Sequence, residues 1–152
     1  METILYGKPI AEELDNKSKL VFKSFKNSKD REPKLTAITV GDNPASLLYV
    51  SRKEEKAKEL GVEFNWIKLE KGTDQEELDS KVKKASQDSD GIIIQLPLPE
   101  HINPEQAINM IPYNLDVDGL TALNLGNLYS DKYKIIPATS LAILELIKFY
   151  KI

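Results

Sequence analysis

Cysteine is absent from the 152 residues, which removes disulfides, thiolate zinc sites and a cysteine nucleophile together. Histidine occurs once, at His101, too few for a histidine-built metal cluster, so no metal is expected. Neither sign of charge is in excess: 21 basic residues stand against 24 acidic ones. A net charge of -3 argues against nucleic-acid and membrane surfaces as partners. The signs also interleave, as in Arg52-Lys53-Glu54-Glu55-Lys56, the pattern of a solvated helix face. No apolar run reaches bilayer-spanning length, and Met1-Glu2 opens no secretory leader. The sequon Asn16-Lys17-Ser18 therefore carries no weight, and the expected location is cytoplasmic. Seven glycines contain no G-x-G, so both the dinucleotide and the P-loop fingerprints are missing.

What is present describes a globular domain with a proper core: 41% hydrophobic and 30% charged residues. Pro9 opens a first helix whose Ile10, Leu14, Val21 and Phe25 fall near one stripe. Leu35 to Val40 reads as a buried strand, broken by Gly41-Asp42-Asn43-Pro44, and a helix then runs to about Gly61. Val62 to Leu69 is a second strand with Phe64 and Trp66 on one side. Thr73-Asp74-Gln75-Glu76 has a capping-box pattern and starts a helix that turns Leu78, Val82 and Ala85 inward. Ile92-Ile93-Ile94-Gln95-Leu96 is apolar enough for a strand covered on both faces, stopped by Pro97 and Pro99. Asn103-Pro104 caps a further helix carrying Ala107, Ile108 and Ile111.

Strand alternating with helix predicts an α/β fold, a three-layer αβα domain with a mainly parallel sheet built from βαβ units. Tyr113 to Ser130 has no strong period, and residues 139–150 form a last apolar helix with Leu141, Leu144 and Ile147. That helix reaches Ile152 with nothing after it to pack upon, so the chain reads as stopping early.

Three features exceed ordinary folding signals. Tyr49 and Lys53 are four apart on the second helix and share one face, away from the stripe of Leu47, Val50 and Ala57. They are a charged helix's surface lysine with an edge tyrosine, or two walls of a cleft at the sheet's carboxyl end. Gln95 interrupts an apolar strand end, and a buried amide needs a structural partner or a ligand. Asp116-Val117-Asp118-Gly119 is a turn with a capping Asp or a weak cation loop, without the rest of a calcium loop. Taken together they provide an amine for proton transfer, an amide to orient it, a carboxylate to accept donors and a ring for stacking. A lysine desolvated among apolar walls has its pKa lowered toward neutrality, which suits acid–base work.

Four blocks then carry a resemblance: Val40-Gly41-Asp42-Asn43-Pro44-Ala45-Ser46, Tyr49 with Lys53, Asp90-Gly91-Ile92-Ile93-Ile94-Gln95-Leu96-Pro97-Leu98-Pro99, and Asp116-Val117-Asp118-Gly119-Leu120. In this order they resemble the bifunctional methylenetetrahydrofolate dehydrogenase/methenyltetrahydrofolate cyclohydrolase family, from about Gly7 to the final helix. The resemblance implies a catalytic, folate-binding N-terminal domain over residues 1–136. Residues 137–152 would be a junction helix leading to an absent nucleotide-binding domain.

It further implies that Lys53 is the catalytic lysine and that Gln95 tunes it. Tyr49 would stack on the folate, Asp118 would hold the pterin and Leu96 would contact the substrate. The implied reactions are NADP-dependent oxidation of 5,10-methylenetetrahydrofolate and hydrolysis of the methenyl product to 10-formyltetrahydrofolate. NADP (NAD in some members) is the implied cofactor, with no binding residues for it in this chain. Family members are usually homodimers.

Two departures stand out. Pro137-Ala138-Thr139-Ser140-Leu141-Ala142 replaces the family's usual Pro-Cys-Thr-Pro-x-Gly, and the nucleotide-binding half does not follow. Hydride transfer is then expected to fail while cyclohydrolase activity survives weakly. The alternative is a non-catalytic folate-binding module.

Overall fold

A computed structural model describes residues 4–152. Three strands form one wholly parallel sheet: β1 (Lys34–Val40), β2 (Glu63–Leu69) and β3 (Gly91–Ile94), in the order β2-β1-β3. Ile38 of β1 pairs with Ile67 on one side and Ile94 on the other. β1 is central, and its last five residues are all buried.

Each strand feeds a helix because the connecting residues say so. After β1, Asn43 caps α2 (Pro44–Leu60) by accepting from the Ser46 amide at 3.1 Å, and Pro44 supplies the fixed φ of a first helical turn. Gly61 closes α2 at φ 77°, a left-handed cap a side chain would strain. After β2, α3 (Gln75–Ala85) is capped by Asp74, whose side chain accepts from Glu77 N at 2.8 Å. The N-cap is therefore Asp74, one residue beyond the expected Thr73, which is buried, and among the described residues no bond from the Asp74 amide back to a Glu side chain completes a capping box. After β3 comes a cis Leu96–Pro97 bond, then α4 (Pro104–Asn109) with Asn103 as its cap.

The two faces of the sheet are covered unequally. Ile38, Val40, Ile92 and Ile94 meet Leu78, Val82 and Ala85 of α3 together with Ala107 and Ile111, in a cluster of eleven buried residues. On the opposite face α2 presses Val50 onto Ala37 and Ile93, flanked by the half-buried Phe64 and Trp66. Helices lie on both sides of the sheet, which gives the three layers.

Three elements differ from the expected pattern. In α1 (Lys8–Lys29) only Ile10 is buried, while Leu14 and Val21 stay exposed, because α1 rests on α2 and a later helix rather than on the sheet. A helix α5 (Ala122–Tyr129) occupies the stretch without a period. Its buried residue is Asn124, and Leu123, Leu125 and Tyr129 face outward, so its apolar pattern is inverted. The last helix, α6 (Ala138–Tyr150), buries no residue, yet it lies beside α1. The Tyr150 hydroxyl accepts from the Tyr6 amide and donates to the Tyr6 carbonyl, both at 3.0 Å.

Candidate functional site

Val50 and Ala57 point α2 at the sheet, so Tyr49 and Lys53 fall on the adjoining flank of the helix. They look over a trough of about 550 Å³ whose walls are almost wholly apolar. Leu35, Ala57, Val62 and Val117 are among its lining residues. Tyr49 is 57% exposed and makes no hydrogen bond to any described residue, which leaves its ring face open.

Beside the trough, at Lys53 on its wall, three polar groups converge. Lys53 Nζ donates to Gln95 Oε1 at 3.2 Å and stands 4.0 Å from Asp118 Oδ2. Gln95 is placed by the end of β3, where its backbone amide still donates to Ile38 O at 2.9 Å. Its side-chain nitrogen donates to Leu96 O at 2.9 Å, so both ends of the amide are held and its oxygen must face Lys53. This meeting point lies past the carboxyl ends of β1 and β3. In the order β2-β1-β3 the connections from β1 and β3 diverge there, the usual place for a ligand in an open sheet. Lys53 is one-third exposed and faces an amide oxygen and a carboxylate, not sealed among apolar walls as a desolvated lysine would be.

Four of the five expected site residues are therefore brought together. Leu96 joins through its carbonyl, which takes bonds from Gln95 and, at 3.3 Å, from Ser46 Oγ. No contact places its half-exposed side chain on Lys53.

Asp118 is held by its neighbours. The segment before it bridges to β3 in parallel, with Ile92 N donating to Leu115 O at 2.7 Å and Ile92 opposite Asp116. Val117 can lie on β3 only because Gly91 has no side chain; a Cβ there would meet Val117 Cγ1 at 2.7 Å. Gly119 then turns the chain at φ 70°.

Asp116 points the other way. It is 1% exposed and accepts from Gly119 N at 2.9 Å, Thr121 N at 2.8 Å and Asn124 Nδ2 at 2.8 Å. Burial by itself would push its carboxyl up, but hydrogen bonds from Thr121 and Asn124 outweigh it and hold the carboxyl below its ordinary value. Of the turn and cation-loop readings, the turn with a capping Asp is the geometry present. Asp116 and Ser46 are anchors that no local sequence signal marks outright. The alternation in Asp-Val-Asp held the clue for Asp116: in an extended segment residues two apart share a face, and a turn between them parts them.

The turn from β1 into α2 does not fit a dinucleotide's pyrophosphate. The Asn43 side chain already takes the Ser46 amide and Pro44 has no N–H, so the helix terminus offers no cradle for a pyrophosphate. Among the described residues no group of His, Asp and Glu could hold a metal ion. No described helix is long and apolar enough to cross a membrane.

The tetrahydrofolate dehydrogenase/cyclohydrolase catalytic domain matches residues 5–118 of this chain. The chain belongs to that family. The bifunctional protein FolD of Listeria innocua is 38% identical over 151 residues, covering 97% of this chain and 52% of the relative. The silkworm 5,10-methylenetetrahydrofolate dehydrogenase superposes with a TM-score of 0.94 at 36% identity, across 100% of this chain and 53% of that one. The Trypanosoma brucei dehydrogenase-cyclohydrolase FolD, solved with NADP and an inhibitor, superposes at 0.92 with 26% identity, across 99% and 52%. The chain thus spans about half the length of the family members it matches. Every polar group of the Lys53 cluster lies within the matched residues 5–118.

Proposed function

We propose that this chain is the folate-binding, proton-handling half of a methylenetetrahydrofolate dehydrogenase/methenyltetrahydrofolate cyclohydrolase. Residues 1–136 form the folate-binding unit, and residues 137–152 form a junction helix toward a nucleotide-binding domain. The observation that carries the reading is the Lys53 amine, oriented by Gln95 and facing Asp118 beside an apolar trough that Lys53 itself lines.

Hydrolysis of a 5,10-methenyl cation needs three proton movements. Water adding to the bridging carbon loses one proton, N5 gains one as its bond to that carbon breaks, and the hydroxyl loses the second as it becomes the formyl carbonyl on N10, so one proton is released overall. One positioned amine can take and return these protons, and Lys53 is the catalytic residue assigned to them. Gln95 takes one N–H of the amine and thereby aims the rest at the substrate. Asp118 accepts the paired N–H groups of the pterin's amidine edge, which a carboxylate does with two oxygens at once. The open Tyr49 ring stacks on the aminobenzoyl portion, and Leu96 supplies apolar contact.

NADP, the hydride acceptor of the dehydrogenase reaction, is not fitted by the residues present, so hydride transfer is assigned to the chain only in company with a nucleotide-binding domain. The test is hydrolysis of 5,10-methenyltetrahydrofolate, followed as decay of its chromophore. The chain should exceed the buffer rate, and Lys53→Ala should return to it. Equal rates for the two proteins would remove Lys53 from the mechanism. Binding without turnover by the chain itself would leave the non-catalytic folate module.

A further inference from the structure

Asp118 sits on a turn of five residues between the edge of β3 and the start of α5, with no helix or strand of its own to fix it. The group that closes this turn is Asp116. Its Oδ1 takes the amide of Gly119, directly after Asp118, and its Oδ2 takes the amide of Thr121, the cap residue of α5. Oδ2 also takes Asn124 Nδ2, which donates to Tyr113 O at 2.9 Å and so ties the turn to the chain before it. Thr121 in turn holds the Asn124 amide at 3.3 Å. A carboxylate is suited to this position because it only accepts: each oxygen meets an N–H and no donor faces a donor.

The arrangement does more than stabilise a loop. With Asp116 fixed on β3 through the Ile92 bridge and Gly119 fixed on Asp116, the backbone on both sides of Asp118 is pinned. We propose that Asp116 is a positioning residue, buried out of reach of substrate, that holds Asp118 opposite Lys53. This rests on the folate reading for its consequence in binding, but not for the geometry itself. The predicted dependence is one-way: Asp116 acts on the ligand only through Asp118.

Asp116→Asn keeps size and shape while placing an amide donor against the Gly119 N–H or against both the Thr121 and Asn124 donors. In a crystal structure of that variant without ligand, Asp118 should leave Lys53 while the three strands still superpose. Asp118 remaining at its wild-type separation would overturn the proposal, whatever the chain binds.

Calorimetry with 5-formyltetrahydrofolate provides the second reading. Asp116→Asn should weaken binding about tenfold, and should cost nothing further when added to Asp118→Asn. Equal losses on both backgrounds would mean a general structural effect and would also overturn it. A wild-type chain that binds no folate would sink the proposed function and leave the crystallographic test to decide Asp116 alone. Should Asp116→Asn lose its cooperative melt, Asn124→Ala removes one amide's bonds to Asp116 and to Tyr113 O and goes through the same structure and the same cycle. Its loss of affinity, too, should vanish beside Asp118→Asn, and persistence of that loss would count against the proposal.

Discussion

The two faces of this sheet are both apolar and are finished differently. On the α3 side eleven buried side chains close into one cluster with the helices drawn down on it. On the α2 side three buried residues carry the contact, and the remaining apolar surface opens into the trough beside Tyr49 and Lys53. Packing explains the first face and leaves the second incomplete. The incomplete face is also the one on which the polar residues converge. The difference teaches where to look in such a domain: the closed face sets stability, and the open face holds the side chains whose freedom a ligand would use.

The contrast breaks first, if it breaks, on core truncation. Leu78→Ala on the closed face should cost about 2–5 kcal/mol, a fall of roughly 6–15 °C in melting midpoint, because a fully buried leucine leaves a cavity. Leu35→Ala, in the wall of the open trough, should cost well under half of that, since the space is already open to water. Equal costs in urea or thermal melts would mean that the faces do not differ.

Next in size is Asp118→Asn. Affinity for a reduced folate should fall about 10- to 100-fold, with a melting curve close to wild type, because a partly exposed carboxylate is lost and no core contact. Lys53→Ala should shift the midpoint by no more than about 3 °C, its ion pair with Asp118 being long and partly solvated. A fall of many degrees would make Lys53 a structural lysine.

The smallest effect is a pH dependence at the amino end of β3. Arg31 holds the Asp90 carboxyl below its ordinary value of 3.8 by a direct hydrogen bond, against the opposing effect of burial, with help from the Lys34 amide. A folded-state value below the unfolded one gives stability that is whole above about pH 4 and disappears as pH falls through the folded value. Arg31→Ala should therefore lower the midpoint by about 1–3 °C at pH 6, and the two proteins should converge below pH 3. A constant difference across that range would show that the arginine contributes packing rather than charge.

Much of this fold is legible in the sequence because its signals are local and agree with one another. Asn43-Pro44 and Asn103-Pro104 mark helix starts where the structure has them, and Ile92-Ile93-Ile94 forms the strand buried on both faces. Legibility fails where tertiary context reverses a local rule. α5 hides its polar Asn124 and shows its leucines, so no periodicity announces it. α1 carries an apolar stripe that never reaches the sheet. In the site, spacing alone places Tyr49 beside Lys53, but only the fold can bring Gln95 and Asp118, forty and more residues on, to the same amine. The buried role of Asp116 was hidden for a different reason. Two aspartates two apart look equivalent until the edge of β3 takes one inward and leaves the other at the rim.

The most direct test of the account is a calorimetric titration of the 152-residue chain with 5-formyltetrahydrofolate and, separately, with NADP. The open face described here predicts saturable folate binding that Asp118→Asn weakens, and no NADP binding. A chain that leaves folate unbound, or that takes NADP alone, would contradict it.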